Sequence, residues 1–364
     1  MTNSISKNCP TVLSSLLFQG NHTYTFIDNV AQDGGAIFAD KVSHLHFHSN
    51  STFRNNSAQE RGGGIYVTSA QFTGSSTFES NSAKKGGGVF ANDGPLTLVD
   101  SSFKSNSAKH GGGMHVSSKR NSRALYICVG CAFRRNSAEY GGGVYMDENT
   151  MFHFNSAMIF KENAAVFRGG GIYASFGNTI IMYGDCHFAN NYAINDGGGI
   201  YANMFSDVSF QRDSTFINNS AQQHGGGLYI NESNVTFANS SKFEWNSAVS
   251  GGGIYVLPTT DTDVFSNVSL HRNTTFMHNS AKDTGGAIHA DFGTFLKITG
   301  ISVFGNNSAH RGGSLYSSRW CQFEFSGSIL FENNSASDTG GGIYLSPRHD
   351  PNMPINTCWP KMDG

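Results

Sequence analysis

The chain has 364 residues, a formal net charge of −2 and only 14% charged residues, so nothing indicates binding to nucleic acid or to an anionic membrane surface. Its 44 Gly and 29 Phe exceed ordinary usage, but the apolar residues recur at a fixed spacing, which argues against a disordered chain. No run of about eighteen apolar residues occurs, so the sequence encodes no transmembrane helix.

Residues 1–25 precede the first full repeat, and we predict that they form an N-terminal cap or a partial coil. Their first part contains one Lys and a short apolar stretch interrupted by Ser, which makes a poor signal peptide and favours folded sequence. A cap of this kind would cover strand edges that the first coil otherwise leaves open.

A repeat occupies residues 26–345. Each copy has a Phe, an Asn three residues later, an Ala two residues further on, and then a Gly pair. Periods of about 25 to 33 residues are typical of arrays in which each unit buries its apolar face against its neighbours. The repeat Phe residues are Phe26, Phe53, Phe78, Phe103, Phe133, Phe160, Phe188, Phe216, Phe243, Phe276, Phe304 and Phe331.

Alternating side chains follow each Gly pair, as in Ile65–Val67, where Ile and Val are predicted to face inward and Tyr66 outward. A second alternating run, such as Val208–Phe210, comes before the next repeat Phe, which ends a third short strand. The Gly-rich segments would break a helical repeat. The pattern therefore predicts an all-β fold, a single right-handed parallel β-helix of about twelve coils with three short strands each.

Stacking explains the fixed positions of the repeat. We predict that the Phe residues form an internal aromatic column and that the Asn amides form a hydrogen-bonded ladder, with Phe53, Asn56, Phe216 and Asn219 as representative members. Asn is also expected to adopt the left-handed backbone of a corner, and the Gly pair to allow positive φ at the next one. Residues 346–364, with four prolines, are predicted to be an irregular C-terminal tail.

The outward position after each Gly pair is the best candidate for ligand binding. It carries Tyr in eight coils, and we predict a column of exposed aromatic rings that contacts a glycan or a partner strand, centred on Tyr173, Tyr201, Tyr229 and Tyr255. The alternative is that the rings only stabilise neighbouring coils by stacking.

Other reactive side chains give weaker signals. Asp33, Asp196, Asp283 and Asp338 precede Gly pairs in coils that are mostly far apart, so solvated turns explain them better than catalysis. Three histidines alternate on one strand, but no fourth ligand accompanies them; they are His44, His46 and His48. We therefore predict no metal site and no cofactor.

The cysteines form no recognisable site in the sequence. Cys128 and Cys131 form a CxxC without the second CxxC of a zinc site or the helix of a redox motif. Cys131 and Cys186 are expected about 10 Å apart, too far for a disulfide. Cys9 and Cys358 lie in the terminal segments, where a disulfide between them would staple the ends.

The paired FxxN and GGA[ILV] motifs resemble those of the chlamydial polymorphic membrane proteins. Phe26–Asn29 with Gly34–Ile37 and Phe276–Asn279 with Gly285–Ile288 match both motifs, whereas most other copies have GGG in place of GGA. The resemblance covers residues 26–345 and implies a surface-exposed β-helical passenger of an autotransporter, acting in adhesion or antigenic display. Because a convincing signal peptide and the family's membrane-anchoring part are missing, we expect either a passenger fragment or a secreted relative of another lineage.

We therefore expect a non-enzymatic adhesin or scaffold, secreted or on the cell surface, that contacts extracellular or host glycans or proteins and is at most peripheral to a membrane. One alternative is a carbohydrate-active β-helix enzyme, a polysaccharide lyase or hydrolase, which would need paired carboxylates on one outer face. Another is a purely structural spacer. Eleven Asn-x-Ser/Thr sequons, which an Asn- and Ser-rich repeat generates by composition, do not choose between these functions.

Overall fold

The computed structural model of the protein describes residues 14–40, 43–118, 124–257, 266–319 and 321–346. Over these residues the regular structure consists of short β-strands that pair in parallel, and they stack as a β-solenoid of about eleven turns. No helix in this part of the chain is long and apolar enough to span a membrane. The predicted all-β parallel solenoid is confirmed.

The largest sheet has 22 strands and receives two strands from most coils. The strands that precede the Phe strands are β1 Ser14–Phe18, β5 Ser43–Phe47, β9 Ala70–Phe72, β12 Leu96–Val99, β15 Leu125–Val129, β19 Met151–Asn155, β23 Thr179–Met182, β27 Asp207–Phe210, β31 Asn234–Phe237 and β35 Ser266–Leu270. The Phe strands are β2 Tyr24–Ile27, β6 Ser51–Arg54, β10 Ser76–Glu79, β13 Ser102–Lys104, β16 Ala132–Arg134, β20 Met158–Lys161, β24 Cys186–Ala189, β28 Ser214–Ile217, β32 Ser241–Glu244 and β36 Thr274–Met277. In the last two coils the two strands merge, giving β39 Thr294–Gly305 and β42 Gln322–Glu332.

The second sheet follows the Asn of each repeat and is interrupted by coils that contribute only isolated bridges. Its strands are β3 Val30–Asp33, β7 Ser57–Arg61, β17 Ser137–Tyr140, β21 Ala164–Arg168, β25 Tyr192–Ala193, β29 Ser220–Ala221, β33 Ser247–Ser250, β37 Ser280–Thr284, β40 Ser308–Arg311 and β43 Ser335–Thr339. These strands correct the sequence prediction, because most coils contain four short strands where three were expected. The polar Ser-Ala segments lack the alternation that reveals the other strands.

The third sheet has twelve strands, each directly after a Gly pair. They are β4 Ile37–Ala39, β8 Ile65–Val67, β11 Val89–Asn92, β14 Met114–Ser117, β18 Val144–Met146, β22 Ile172–Ser175, β26 Ile200–Asn203, β30 Leu228–Asn231, β34 Ile254–Leu257, β38 Ile288–Ala290, β41 Leu315–Ser317 and β44 Ile343–Leu345. Equivalent residues pair in register, as Ile200 does with Leu228, so like side chains lie over like.

The corners contain a second correction. The ladder Asn does not have the left-handed conformation; the residue before it does, in all twelve repeats, with φ between 53° and 58°. Asn55 and Asn218 are examples, each directly preceding a ladder Asn. The ladder Asn keeps negative φ and turns its amide inward, because its role is hydrogen bonding between coils.

The two glycines of each pair have different roles. Gly62 has φ of +67°, a conformation that is costly for residues with a Cβ. A Cβ on Gly63 would instead lie 2.3 Å from the carbonyl oxygen of Gly87 in the next coil. The first glycine therefore permits the turn, and the second permits the close approach of neighbouring coils.

One pair of cysteines is bonded in a way that the sequence did not predict. Cys128 and Cys131, for which the sequence suggested no function, form a disulfide between adjacent strands of one coil, and both are buried. Cys186 has a free thiol, as expected from its distance to Cys131. Cys9 and Cys358 lie outside the described residues.

Candidate functional site

The Asn ladder runs through the interior of the solenoid as predicted. From Asn29 to Asn334, each Nδ2 donates to the Oδ1 of the ladder Asn in the next coil, at 2.8–3.0 Å. Most of these Nδ2 groups also donate to the carbonyl oxygen of the repeat Phe in the preceding coil, as Asn56 does to Phe26. Each buried amide therefore links three successive coils, which satisfies groups that would be costly to leave unpaired.

The Phe column is the other internal structure that the sequence predicted. Successive rings from Phe26 to Phe331 are stacked with centroids 4.6–5.0 Å apart. Phe53 and Phe216 are completely buried. The ten rings from Phe53 to Phe304 are completely buried and fill the core, so their role is structural, whereas Phe26 and Phe331 at the two ends of the column are partly buried.

The Tyr column exists, but it is not exposed as predicted. The rings of Tyr173, Tyr201, Tyr229 and Tyr255 stack on one another with centroids 4.8–5.5 Å apart. Tyr201, Tyr229 and Tyr255 are only 2%, 6% and 7% exposed, and Tyr173 is half-buried. They form an apolar cluster outside the main core.

The side chains that cover the Tyr column explain this correction. The chain turns a corner at each Gly pair, so the residue just before the pair folds back over the aromatic rings that follow it. The guanidinium of Arg61 lies 4.8 Å from the ring centroid of Tyr66, and that of Arg168 lies 5.2 Å from Tyr201. The ring of His224 lies 4.5 Å from that of Tyr255. These residues could not be identified from the sequence because their type changes from coil to coil.

Burial determines the protonation state of the hydroxyls in the Tyr column. Desolvation raises the pKa of Tyr201, Tyr229 and Tyr255 far above the ordinary value of about 10. Their hydroxyls stay protonated at any physiological pH and cannot act as bases. The column therefore stabilises the solenoid, and Tyr201, Tyr229 and Tyr255 offer little surface to an external ligand.

Two histidines take the place of Tyr in the same column. His115 stacks between Phe90 and Tyr145, and its side chain is fully buried. His289 stacks between Tyr255 and Tyr316. Burial lowers the pKa of both, that of His289 to about 4, so both are neutral at pH 7.

The acidic residues before the Gly pairs are in ion pairs. Asp33 binds Arg61 at 2.9 Å, and Asp283 binds Arg311 at 3.2 Å. Asp196 is nearly buried between Arg168 and His224, with contacts of 3.1 and 2.9 Å. These residues were predicted to be solvated turns, but neighbouring coils supply a base to each. Asp338 has the longest of these contacts, with His310 at 4.0 Å.

The three alternating histidines share one face, as the strand period requires. The ring centroids of His44 and His46 are 6.4 Å apart, and those of His46 and His48 are 6.2 Å apart. His48 lies 2.8 Å from the hydroxyl of Thr73, and His44 lies 3.4 Å from that of Ser69. Within the described ranges, no group of three or more His, Cys, Asp or Glu side chains has a geometry that could hold a metal ion.

The stacked columns define the chain as a β-solenoid repeat protein. Six of its segments match the family model described as the Chlamydia polymorphic membrane protein repeat, at residues 15–40, 50–68, 185–203, 213–231, 273–291 and 328–346. Repeats at six places along the chain therefore match the Chlamydia polymorphic membrane protein repeat family. Neither a curated protein nor a solved structure matched it significantly.

Proposed function

We propose that the protein is a non-enzymatic repeat rod, secreted or displayed on the cell or outer-membrane surface, that acts as an adhesion or scaffold module of autotransporter-passenger type. The family of its repeats supports a surface location. The β-solenoid supports the passenger role, because it presents long outer faces on a rigid interior.

The observation that carries the proposal is the contrast between inner and outer positions. In the Phe column all twelve rungs have the same residue. The residue directly after each Phe faces outward and differs between coils, as Ile27, Arg54, Glu79 and Lys104 show. The residues that stack in the interior are thus the same in every coil, whereas the outer residues vary. This is expected of a protein whose outer face contacts its binding partners.

The pairing of the acids supports a non-enzymatic role over a polysaccharide lyase or hydrolase. Such enzymes use two carboxyl groups close together, one of them able to exchange a proton. Asp33, Asp196 and Asp283 are each held by a base of a neighbouring coil. A carboxylate fixed in this way is poorly suited to act as a general acid.

The proposal is tested by coating beads with the purified chain and measuring their adherence to host cells, with beads coated with heat-unfolded chain as the control. We expect adherence that requires the folded solenoid and is blocked by soluble chain. Equal binding of both bead types would overturn the adhesion role. Release of oligosaccharides from a panel of polysaccharides would instead establish the enzyme.

A further inference from the structure

A column of cations lies on the outer face of the largest sheet, at the position directly after the repeat Phe. Lys104 pairs in register with Arg134, and Arg134 pairs with Lys161. Neighbouring strands are about 4.8 Å apart, so three positive charges follow one another at that spacing. Like charges directly opposite each other on a sheet are destabilising, so this arrangement has a cost to the fold.

The acidic residues nearby neutralise this column only in part. Lys104 contacts Glu79 at 2.6 Å, and Lys161 contacts Glu162 at 3.5 Å. Glu162 is also bound at 2.6 Å by Arg135, which extends the cationic surface at the adjacent corner. Among the described residues Arg134 has no ion pair, although it lies between two cations.

These side chains enclose a recess. Lys104, Arg134, Arg135, Lys161 and Glu162 line a surface pocket of about 140 Å³. The side chains of Lys104, Lys161 and Arg135 remain 46%, 45% and 64% exposed, so they can reach a ligand. The pocket combines four positive charges with a single negative one among its lining residues.

The surrounding sequence strengthens the positive field. Residues 84–168 contain eleven Lys and Arg but six Asp and Glu, a local charge of +5 in a chain whose net charge is −2. Eight of these cations and all six acids lie among the described residues, where their charges sum to +2. A positive region of this kind raises the local concentration of anions and speeds their association.

We propose that Lys104, Arg134, Arg135 and Lys161 form a binding site for a linear polysaccharide that carries sulfate or carboxylate groups. A pyranose unit in an extended chain advances by a distance comparable to one strand spacing, so successive sugars can present their anionic groups to successive coils. Arg134 and Arg135 can bind such groups with two parallel hydrogen bonds.

The neighbouring side chains favour a polysaccharide over a nucleic acid. Beside the cation column, the same outer face carries Ser102, Ala132 and Ile159, which pair in register. None of these three residues has a ring on which a base could stack, and stacking contributes much of the binding to single strands. The first ring in the row belongs to His187, which pairs with Ile159 and lies within hydrogen-bond distance of Thr215. This proposal specifies the class of ligand that the protein would bind in its adhesion role. It rests on that proposed function only for its biological setting.

The test measures binding of the purified full chain to heparin, hyaluronan, neutral dextran and a single-stranded oligonucleotide by titration calorimetry. The triple variant Lys104→Gln, Arg134→Gln, Lys161→Gln is compared with the control Lys242→Gln, Lys282→Gln, Lys297→Gln, which loses the same charge in coils further along the solenoid. Melting temperatures establish that both variants fold. The first should melt close to the wild type, because it removes opposed like charges together with the exposed contacts of Lys104 with Glu79 and of Lys161 with Glu162.

We expect heparin or hyaluronan to bind the wild type and the control, with affinity lost at about 1 M salt, where the Debye length is about 3 Å. The first variant should bind at least about tenfold more weakly. Preference for heparin assigns sulfate as the anionic group, and equal binding of hyaluronan assigns carboxylate. The proposal is overturned if neither polysaccharide binds, if both variants bind alike, or if the oligonucleotide binds as tightly. Failure of bead adherence with heparin binding intact would overturn only the adhesion role.

Discussion

Asn219 and Asn246 are 27 residues apart in sequence, yet the Nδ2 of Asn219 donates to the Oδ1 of Asn246 at 3.0 Å inside the solenoid. Both side chains are completely buried. Asn219 also donates to the carbonyl oxygen of Phe188 at 2.9 Å and accepts from Asn191. One amide thus holds three coils in register.

Replacing Asn219 with Ala should therefore be strongly destabilising. The change removes the Oδ1 that accepts from the backbone N–H and Nδ2 of Asn191, and the Nδ2 that donates to Phe188 and Asn246. Oδ1 of Asn246 keeps its bond from the backbone N–H of Asn219, so the cost is about 1–3 kcal/mol for each of the other groups that stays unpaired. The control is Asn218→Gly at the adjacent left-handed corner, where φ is 53° and the side chain is exposed. We expect the control to change the free energy of unfolding by less than about 0.5 kcal/mol in urea titrations. Similar losses for both variants would contradict the ladder.

The second glycine of each pair should not tolerate a methyl group. In Gly63→Ala the new Cβ would lie 2.3 Å from the carbonyl oxygen of Gly87, so the two coils must separate. We expect a loss of several kcal/mol or failure to fold. In Gly342→Ala the nearest atom is the Cβ of Phe331 at 3.9 Å, and this control should fold normally. Circular dichroism melting curves compare them, and an unchanged melting temperature for Gly63→Ala would refute the close approach.

Alkaline pH should unfold the protein through its buried tyrosines. Burial raises the pKa of Tyr201, Tyr229 and Tyr255 in the folded state, so above about pH 10 the unfolded chain releases protons that the folded chain retains. Their contribution is complete below pH 10 and is lost as pH rises, by up to about 1.4 kcal/mol per pH unit for each residue. The triple Tyr→Phe variant should lose stability less steeply above pH 10 in urea titrations. Tyr183→Phe, at an exposed position, is the control and should keep the wild-type slope.

Acidic pH should also destabilise the protein through the aromatic column. Burial lowers the pKa of His289 to about 4, whereas Asp291 opposes the shift, and His224 and Arg311 add to it. The hydroxyl of Thr284 donates to Ser250 at 2.8 Å, so Nδ1 of His289 donates to Thr284 at 2.7 Å, a bond that the neutral and the protonated ring can both make. Stability is complete above the ordinary pKa near 6.5 and is lost as pH falls towards 4, because the unfolded chain takes up the proton first.

The variant His289→Phe should remove that part of the acid sensitivity, since Phe90 already occupies the same column. We expect urea midpoints that fall less between pH 6.5 and pH 4.5 than those of the wild type, with the exposed His310→Gln as control. The same decline in all three proteins would show that His289 does not carry the effect.

The fold and both internal columns could be predicted because their positions repeat without change. Which of the two corner residues has the left-handed conformation could not be predicted. Asn occupies both positions at Asn55–Asn56 and Asn218–Asn219, and either residue can adopt that conformation. The burial of the Tyr column was missed because the residues that cover it, such as Arg61 and Arg168, share no residue type with the other coils. Residues that vary between copies carry no periodic signal.

The cation column could have been found from the sequence. Lys104, Arg134 and Lys161 each follow a repeat Phe directly, so the predicted stacking of the Phe residues places them in one column although 30 and 27 residues separate them. The register of β13, β16 and β20 shows that they do lie on one face. An outer position whose residue type varies between copies can be interpreted once the stacking of the coils shows which residues are neighbours.

In-register stacking is tested most directly by disulfide trapping between neighbouring coils. Ser209 and Thr236 pair in register on the outer face of the largest sheet. Cysteines at these two positions lie about 4.8 Å apart between strands, within the range of a disulfide, whereas Ser209→Cys with Asn234→Cys places them about 8 Å apart. We predict that peptide mass mapping after mild oxidation finds the 209–236 disulfide in high yield and little of the 209–234 disulfide. Equal yields, or a preference for the 209–234 pair, would contradict the stacked solenoid.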